Sequence, residues 1–431
     1  MTKMVSMVEG MRENSKGRVL VVGMGISGTA TAARLHRAGW TPVIVERAAA
    51  RRSGGYFVLL LGVGKKAAQR MGFLGAMHNR APVKPHLDLD RKGRARTASG
   101  FTDLPGAPWI MLRGDAEKAV FSALPEDVEI RYSTVPTRID QDADGVDVTL
   151  HDTANGTSTT ERFDLVVGAD GLRSTVRSLV FGPPEDYLQR LNYMIAAFEY
   201  PGTPEGLPPN QSAGLLEPGR SMWVFAFSDH DPTILLTYRT DDVDAEFTQS
   251  PSERIRAAFG PQPLGGTLDA VISAADSADG LLFDSVEQVH LDHWHRGRVV
   301  LVGDSAWCIT LYGGMGVSAG FAGADLLGAM LEEHPGDLET ALSRWEKELR
   351  PYIEQYQEGA LRQRPVFVME TRLQLMVRRA IPTLTRFKLG ARLVARMMGT
   401  DRMAEFHDAD IVGRVLGRPA PPEERIVART A

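Results

Sequence analysis

The sequence predicts a mixed α/β fold: an open parallel sheet with βαβ connections, an inserted antiparallel sheet, and a helical C-terminal part. Three observations predict it. The apolar run Arg18-Val-Leu-Val-Val-Gly23 leads through a helical pattern, Ile26 to Ala38, closed by Gly39, to a second run, Pro42-Val-Ile-Val-Glu46. Residues 191 to 240 change character: Leu191 to Tyr200, Met222 to Ser228 and Thr233 to Tyr238 read as three strands, with a Pro/Gly-rich loop from Pro201 to Gly219. From about Leu338 the pattern is helical, with interruptions expected at Pro351 and Pro382.

Gly145-Val-Asp-Val-Thr-Leu150 and Phe163-Asp-Leu-Val-Val-Gly168 suggest a hairpin around the polar loop Asp152 to Thr160, and Asn79 to Pro105 suggests another that joins the second sheet. The last dozen residues are expected to lack structure. At 431 residues the chain exceeds a usual single core, so two or three subdomains are expected. Hydrophobic content of 43% and charged content of 24% are those of an ordinary globular protein. A net charge of −5 argues against a nucleic-acid partner, and one cysteine rules out an internal disulfide. No signal-peptide pattern and no apolar run of membrane-spanning length is seen, so a soluble, cytoplasmic protein is expected.

Three blocks carry chemistry. Gly23-Met-Gly25-Ile-Ser-Gly28 is a G-x-G-x-x-G between a strand and a helix, with Glu46 closing the next strand about 20 residues on. There the glycines permit a tight turn, close approach to a pyrophosphate and helix–strand packing, and the acid binds a ribose hydroxyl. Gly168-Ala-Asp170-Gly171-Leu-Arg173-Ser174-Thr-Val-Arg177 reads locally as an Asp-Gly turn into a helix capped by Ser174. Residues 303 to 316, GDSAWCITLYGGMG, follow the strand-like Arg298-Val-Val-Leu-Val-Gly303 and precede an apolar helical pattern from Val317 to Leu331. In this third block Gly313, Gly314 and Gly316 let backbone approach a flat ring, and the helix start favours negative charge.

In this order the three blocks resemble the FAD-dependent class A monooxygenases, the para-hydroxybenzoate hydroxylase type. The resemblance covers about residues 17 to 345. The stretch Arg52-Ser-Gly-Gly-Tyr-Phe through Met71-Gly72 looks most like the branch of tetracycline-inactivating monooxygenases. It implies a doubly wound FAD-binding Rossmann-type domain (17–80, 106–182 and 284–345), an inserted antiparallel β-sheet substrate domain (81–105 and 183–283), and C-terminal helices and tail (346–431). It implies bound FAD, with NADPH or NADH as a transient reductant at a surface site.

Carried over by position, the resemblance implies that Gly23, Gly25, Ile26, Ser27 and Gly28 meet the pyrophosphate, and Glu46, followed by Arg47, the adenosine ribose. Arg52 joins the cofactor set, Arg113 lies beside the ribityl and phosphate region, and Val135 places its backbone near the adenine. Asp170 stands where the family couples FAD and nicotinamide binding; Asp304 meets the ribityl chain, and Gly314, Gly316 and Val317 the pyrimidine edge of the flavin. The implied activity is NAD(P)H-driven hydroxylation or epoxidation of an apolar secondary-metabolite small molecule through a C4a-hydroperoxyflavin. That chemistry requires water exclusion and near-attack geometry rather than a nucleophile triad.

Two positions depart from the family pattern. Trp307 stands where histidine is usual, and Leu311 where a proline that borders the oxygen-reactive site is usual. Leu311 removes a φ constraint, and Trp307 brings an indole with a single donor. These departures keep open a redox-silent FAD-binding cyclase of natural-product biosynthesis; the shared FAD domain also admits a prenyl-chain reductase. Pocket candidates are Tyr56, Trp223, Phe225, Phe227, Trp307 and Leu311; alternation of Trp223, Phe225 and Phe227 suits a substrate wall or core packing equally. Cys308 reads as a packed thiol, and His290, His293 and His295 as a solvated turn, so no metal site is expected. The run Arg372 to Met398 is basic and amphipathic; docking on its own domain is expected over membrane contact. A monomer or homodimer is expected.

Overall fold

The computed structural model describes residues 16–51, 54–104, 106–384 and 405–421, with side chains up to Ala380 in the helix that ends at Leu384. Strand Arg18–Val22 lies at the centre of a six-stranded sheet, parallel to Leu165–Gly168 on one side and Thr41–Val45 on the other. Val299–Leu301 and Glu129–Arg131 extend it in parallel, and His295–Arg296 closes one edge antiparallel. Val19, Leu20, Val21, Val166 and Val167 are fully buried, which is why these strands are continuous apolar runs rather than alternating ones.

Thr134–Gln141, Val146–Asp152 and Thr157–Phe163 form a separate three-stranded antiparallel sheet that shares the same core through Val146, Val148, Leu150 and Phe163. This corrects the expected hairpin. Val146–Asp152 pairs with Thr157–Phe163, and Leu165–Gly168 belongs to the parallel sheet instead. Thr157 to Thr160 are exposed, so their polarity marks a water-facing strand, not a loop.

The seven-stranded sheet runs in the order Leu282–Val289, Leu188–Glu199, Thr233–Arg239, Arg220–Phe225, Ala213–Glu217, Leu87–Leu89 and Ala95–Thr97. The last two form a hairpin that joins parallel to Ala213–Glu217. Ala213–Glu217 falls inside the segment expected to be a loop; its short apolar run pairs with the following strand across a tight turn at Gly219, φ +78°. Strand Arg220–Phe225 begins two residues earlier than expected and stops before Phe227.

Helix Leu338–Phe367 continues through Pro351 and Pro365. Its buried stripe of Leu342, Trp345, Leu349, Ile353, Tyr356 and Ala360 outweighs the hydrogen bonds lost at the prolines. Helix Arg372–Leu384 likewise includes Pro382. Residues 422–431, most of the expected unstructured tail, lie outside the described residues. No described helix is long and apolar enough to cross a membrane.

Trp294, Trp307 and Trp345 pack together, with ring centroids 4.6 Å and 5.8 Å from Trp307 to its two neighbours. Glu346 beneath them accepts from the Trp294 backbone N–H and from His295 Nδ1, each at 2.9 Å. His295 is therefore a half-buried hydrogen-bond partner of Glu346 and not part of a solvated turn. No group of metal-ligating side chains occurs among the described residues. Trp307→Ala is expected to lower stability by about 3–5 kcal/mol, because it removes a fully buried indole and leaves a cavity among Trp294 and Trp345. Urea denaturation monitored by circular dichroism measures the loss.

Candidate functional site

A cavity of about 480 Å³ is bounded by the ends of the parallel strands and by one face of the seven-stranded sheet. Two helices begin at it, Ile26–Arg37 and Gly316–Glu333, and neither start has a side-chain cap. The unpaired N–H groups of both first turns therefore set a positive potential on the cavity.

The glycines divide into two kinds. A Cβ on Gly28 would lie 2.0 Å from the Gly23 carbonyl oxygen, and one on Gly23, φ +101°, would lie 2.5 Å from the Ala169 oxygen. Both close protein-to-protein contacts. A Cβ on Gly25 would meet only Arg113 Nη2 at 4.0 Å, and one on Gly316 only Asp304 Oδ1 at 4.0 Å. Those two open onto the cavity, one beside a cation and the other beside a carboxylate. Ser27 also lines it, with its hydroxyl packed where a Cβ on Gly303 or Gly320 would sit.

Beside the start of the first helix, Glu46 accepts from the Met24 and Ala48 N–H groups, each at 2.8 Å. Its carboxylate is thereby fixed at the cavity wall beside Arg47. Arg113 opens helix Arg113–Ser122, pairs with Glu117 at 2.8 Å and lies 6.0 Å from the Tyr56 ring centre. Asp170 caps the following turn, bonding Ser174 Oγ and the Thr175 N–H at 2.6 Å each, and still borders the cavity. Asp304 lines the cavity with its side chain open to it; the protein crowded around the site raises its pKa, with Arg113 opposing. Burial also raises the Cys308 thiol well above its usual value, and with it the Tyr56 hydroxyl. Cys308 is thus a neutral thiol in the wall.

A cationic stretch between two uncapped helix starts, a carboxylate at each end and open glycines at both helices match the chemistry of a dinucleotide joined to a flat ring. Ile26, Gly314 and Val317 line the same surface. Gly28 and Val135 do not: Gly28 serves the helix–strand contact, and Val135 sits half-buried in the three-stranded sheet. Arg52 lies outside the described residues.

The other end of the cavity is apolar. Phe225 stacks on Phe57 at 4.1 Å and 15°, and Ile195, Leu235, Val286 and Phe367 complete the wall beside Tyr56 and Leu311. Three candidates are corrected here. Trp223 lies behind Phe225, its Nε1 held by Ser221 Oγ and the Phe367 carbonyl; Phe227, past the strand's end, packs into the parallel-sheet core. Trp307 turns away into the tryptophan cluster, where burial on all sides is available. Of the two family departures, only Leu311 reaches the cavity. The constraint lost with proline is replaced: Thr310 has φ +78°, its Oγ1 accepts from the Tyr312 N–H at 3.0 Å, and Tyr312 Oη bonds Thr237 Oγ1 at 3.1 Å. Ile195, Leu235 and Phe367 were missed in the sequence. Alternation could place the first two on one strand face but not say which face borders a cavity.

Residues 112–356 match the family described as FAD binding domain. A flavin-dependent monooxygenase from an unknown prokaryotic organism is 29% identical over 350 residues, covering 79% of this chain and 87% of its own. An uncharacterised protein of Mycobacterium tuberculosis is 30% identical over 353 residues, covering 79% and 91%. The crystal structure of the tetracycline destructase Tet(51) superposes with TM-score 0.69 at 26% identity, covering 84% of this chain and 94% of that one. The fold and cleft define a flavin-binding oxidoreductase. The chain belongs to the FAD-binding-domain family of class A flavin-dependent monooxygenases, and FAD is its cofactor.

Gly25→Val, at extended φ −71° with open space ahead, is expected to leave the fold intact and weaken FAD by about 1–3 kcal/mol. Gly28→Ala is expected to destabilise the fold itself. Flavin fluorescence titration and thermal melting separate the two outcomes. Asp304→Asn is expected to bind FAD about tenfold to a hundredfold more weakly.

Proposed function

We propose that this chain is an NAD(P)H-driven monooxygenase that hydroxylates or epoxidises an apolar secondary-metabolite small molecule. The observation that carries this reading is the continuity of one cavity, polar and cradle-like at one end, apolar at the other, with Leu311 between. In this reading Gly25, Ile26, Ser27 and Arg113 hold the FAD pyrophosphate, Glu46 and Arg47 the ribose, and Asp304 the ribityl chain. The uncapped start at Gly316 and Val317 faces the ring. FAD, when bound, supplies the redox chemistry that activates oxygen.

The chain's own residues do the rest. The first turn of Gly316–Glu333 stabilises negative charge at its N–H groups. Phe57, Phe225, Ile195, Leu235 and Phe367 exclude water and present flat apolar faces to the substrate. Tyr312, tied to Thr237 of the seven-stranded sheet, holds Leu311 at a set distance from that wall. Among the described residues the arginines that line the cavity, Arg47, Arg51 and Arg113, belong to the cradle, and the carboxylates Asp284 and Glu287 beside Val286 are paired with Arg173, which favours a neutral substrate. Tet(51), as a tetracycline destructase, makes tetracycline a first polycyclic candidate. The cyclase reading loses one of its two supports, since Trp307 lies in the core.

Anaerobic mixing of the FAD-loaded protein with NADH or NADPH should bleach the flavin, and air with substrate should then raise oxygen uptake. Product formed with neither bleaching nor oxygen use would overturn the proposal. Tyr312→Phe removes the tie to Thr237 and is expected to lower product formed per NAD(P)H consumed, with the difference released as hydrogen peroxide. Loss of one buried hydrogen bond should also lower stability by about 1 kcal/mol.

A further inference from the structure

Helix Arg372–Leu384 meets its own domain with one face and water with another. Inward, Leu375 packs against the aromatic cluster around Trp223, and Arg378 lies 5.6 Å over the Trp223 ring and bonds Asp88 Oδ1 at 3.2 Å. Outward, Leu373, Met376 and Val377 are 65%, 58% and 41% exposed. Their spacing of three and four residues makes one continuous stripe. The other exposed large apolar side chains among the described residues, Val83, Leu179 and Phe247, stand far apart in sequence, so this stripe is no ordinary scatter.

Charge on the helix itself is of one sign. Arg372 and Arg379 are exposed next to it. From Thr371 to Thr400 the sequence holds Arg372, Arg378, Arg379, Arg386, Lys388, Arg392 and Arg396 and no acidic residue, within a chain of net charge −5. We propose that this helix face docks on an anionic lipid surface, with Leu373, Met376 and Val377 in the acyl boundary and the arginines among the headgroups. A second copy of the chain docked through the same face would set arginine against arginine. The following stretch of the chain adds only further positive charge up to Thr400, so it does not neutralise the face either. A bilayer with acidic headgroups satisfies both the apolar stripe and the charge.

The placement has a consequence for the site. Phe367, which ends the preceding helix and lines the apolar end of the cavity, lies only a few residues before Arg372. Docking would set that end of the cavity near a phase in which apolar molecules concentrate. This consequence rests on the proposed apolar substrate; the docking itself does not.

The test is sedimentation of the FAD-loaded protein with vesicles of phosphatidylcholine alone or with about one third phosphatidylglycerol, at low and high salt. The expected result is binding to the acidic vesicles that falls with salt. Leu373→Ser/Met376→Ser/Val377→Ser should abolish it without lowering the melting temperature, and Arg372→Gln/Arg379→Gln should weaken it about thirtyfold. Absence of sedimentation, or equal binding by the triple-serine variant, would overturn the proposal. So would a dimer in analytical ultracentrifugation that the serine variant dissolves, which makes a second copy the occupant. A serine variant that melts well below the parent would show that the chain covers the stripe itself. None of these readouts depends on turnover.

Discussion

Two helices that begin at one cavity, each without a side-chain cap, are the constraint on which the rest of the molecule is arranged. Unpaired N–H groups are costly when buried against apolar surface and useful when they face an anion. Bringing both starts to one place requires backbone contact closer than side chains allow. Gly28 against the Gly23 carbonyl supplies it for the first helix, and Gly303 and Gly320 on either side of Ser27 supply it between the strand end and the second helix. The open glycines, Gly25 and Gly316, exist because the closed ones hold the frame.

Charge follows the same plan. Arg113 stands beside Gly25 and Asp304 beside Gly316. The seven-stranded sheet then adds what the nucleotide cradle lacks, an apolar wall built on the Phe57–Phe225 stack. Tyr312 links the two halves through Thr237, so the loop bearing Leu311 is held by a side-chain tie.

The parallel core was legible in the sequence because burial on both faces leaves continuous apolar runs, as in Arg18–Val22 and Leu165–Gly168. The cradle was legible because glycine spacing reports backbone contact directly: Gly23, Gly25 and Glu46 lie at the cavity, as read from their spacing. The strands Thr157–Phe163 and Ala213–Glu217 were not legible, the first because its outer face is polar, the second because prolines and glycines surround it. Trp307 and Trp223 misled for a shared reason. An aromatic residue beside a cavity and one packed behind its wall have the same local sequence, and only the tertiary fold separates them. Phe367 carried no local signal; a helix hundreds of residues from the first glycine motif delivers it to the same cavity.

The central claim is that this cavity brings molecular oxygen, reduced cofactor and an apolar substrate together. The most direct measurement is mass spectrometry of product formed by the FAD-loaded protein under heavy-isotope dioxygen with NADPH or NADH. A monooxygenase places one heavy oxygen atom in each product molecule and consumes one nicotinamide for it. A product isomeric with its substrate, carrying no heavy oxygen, would contradict the claim.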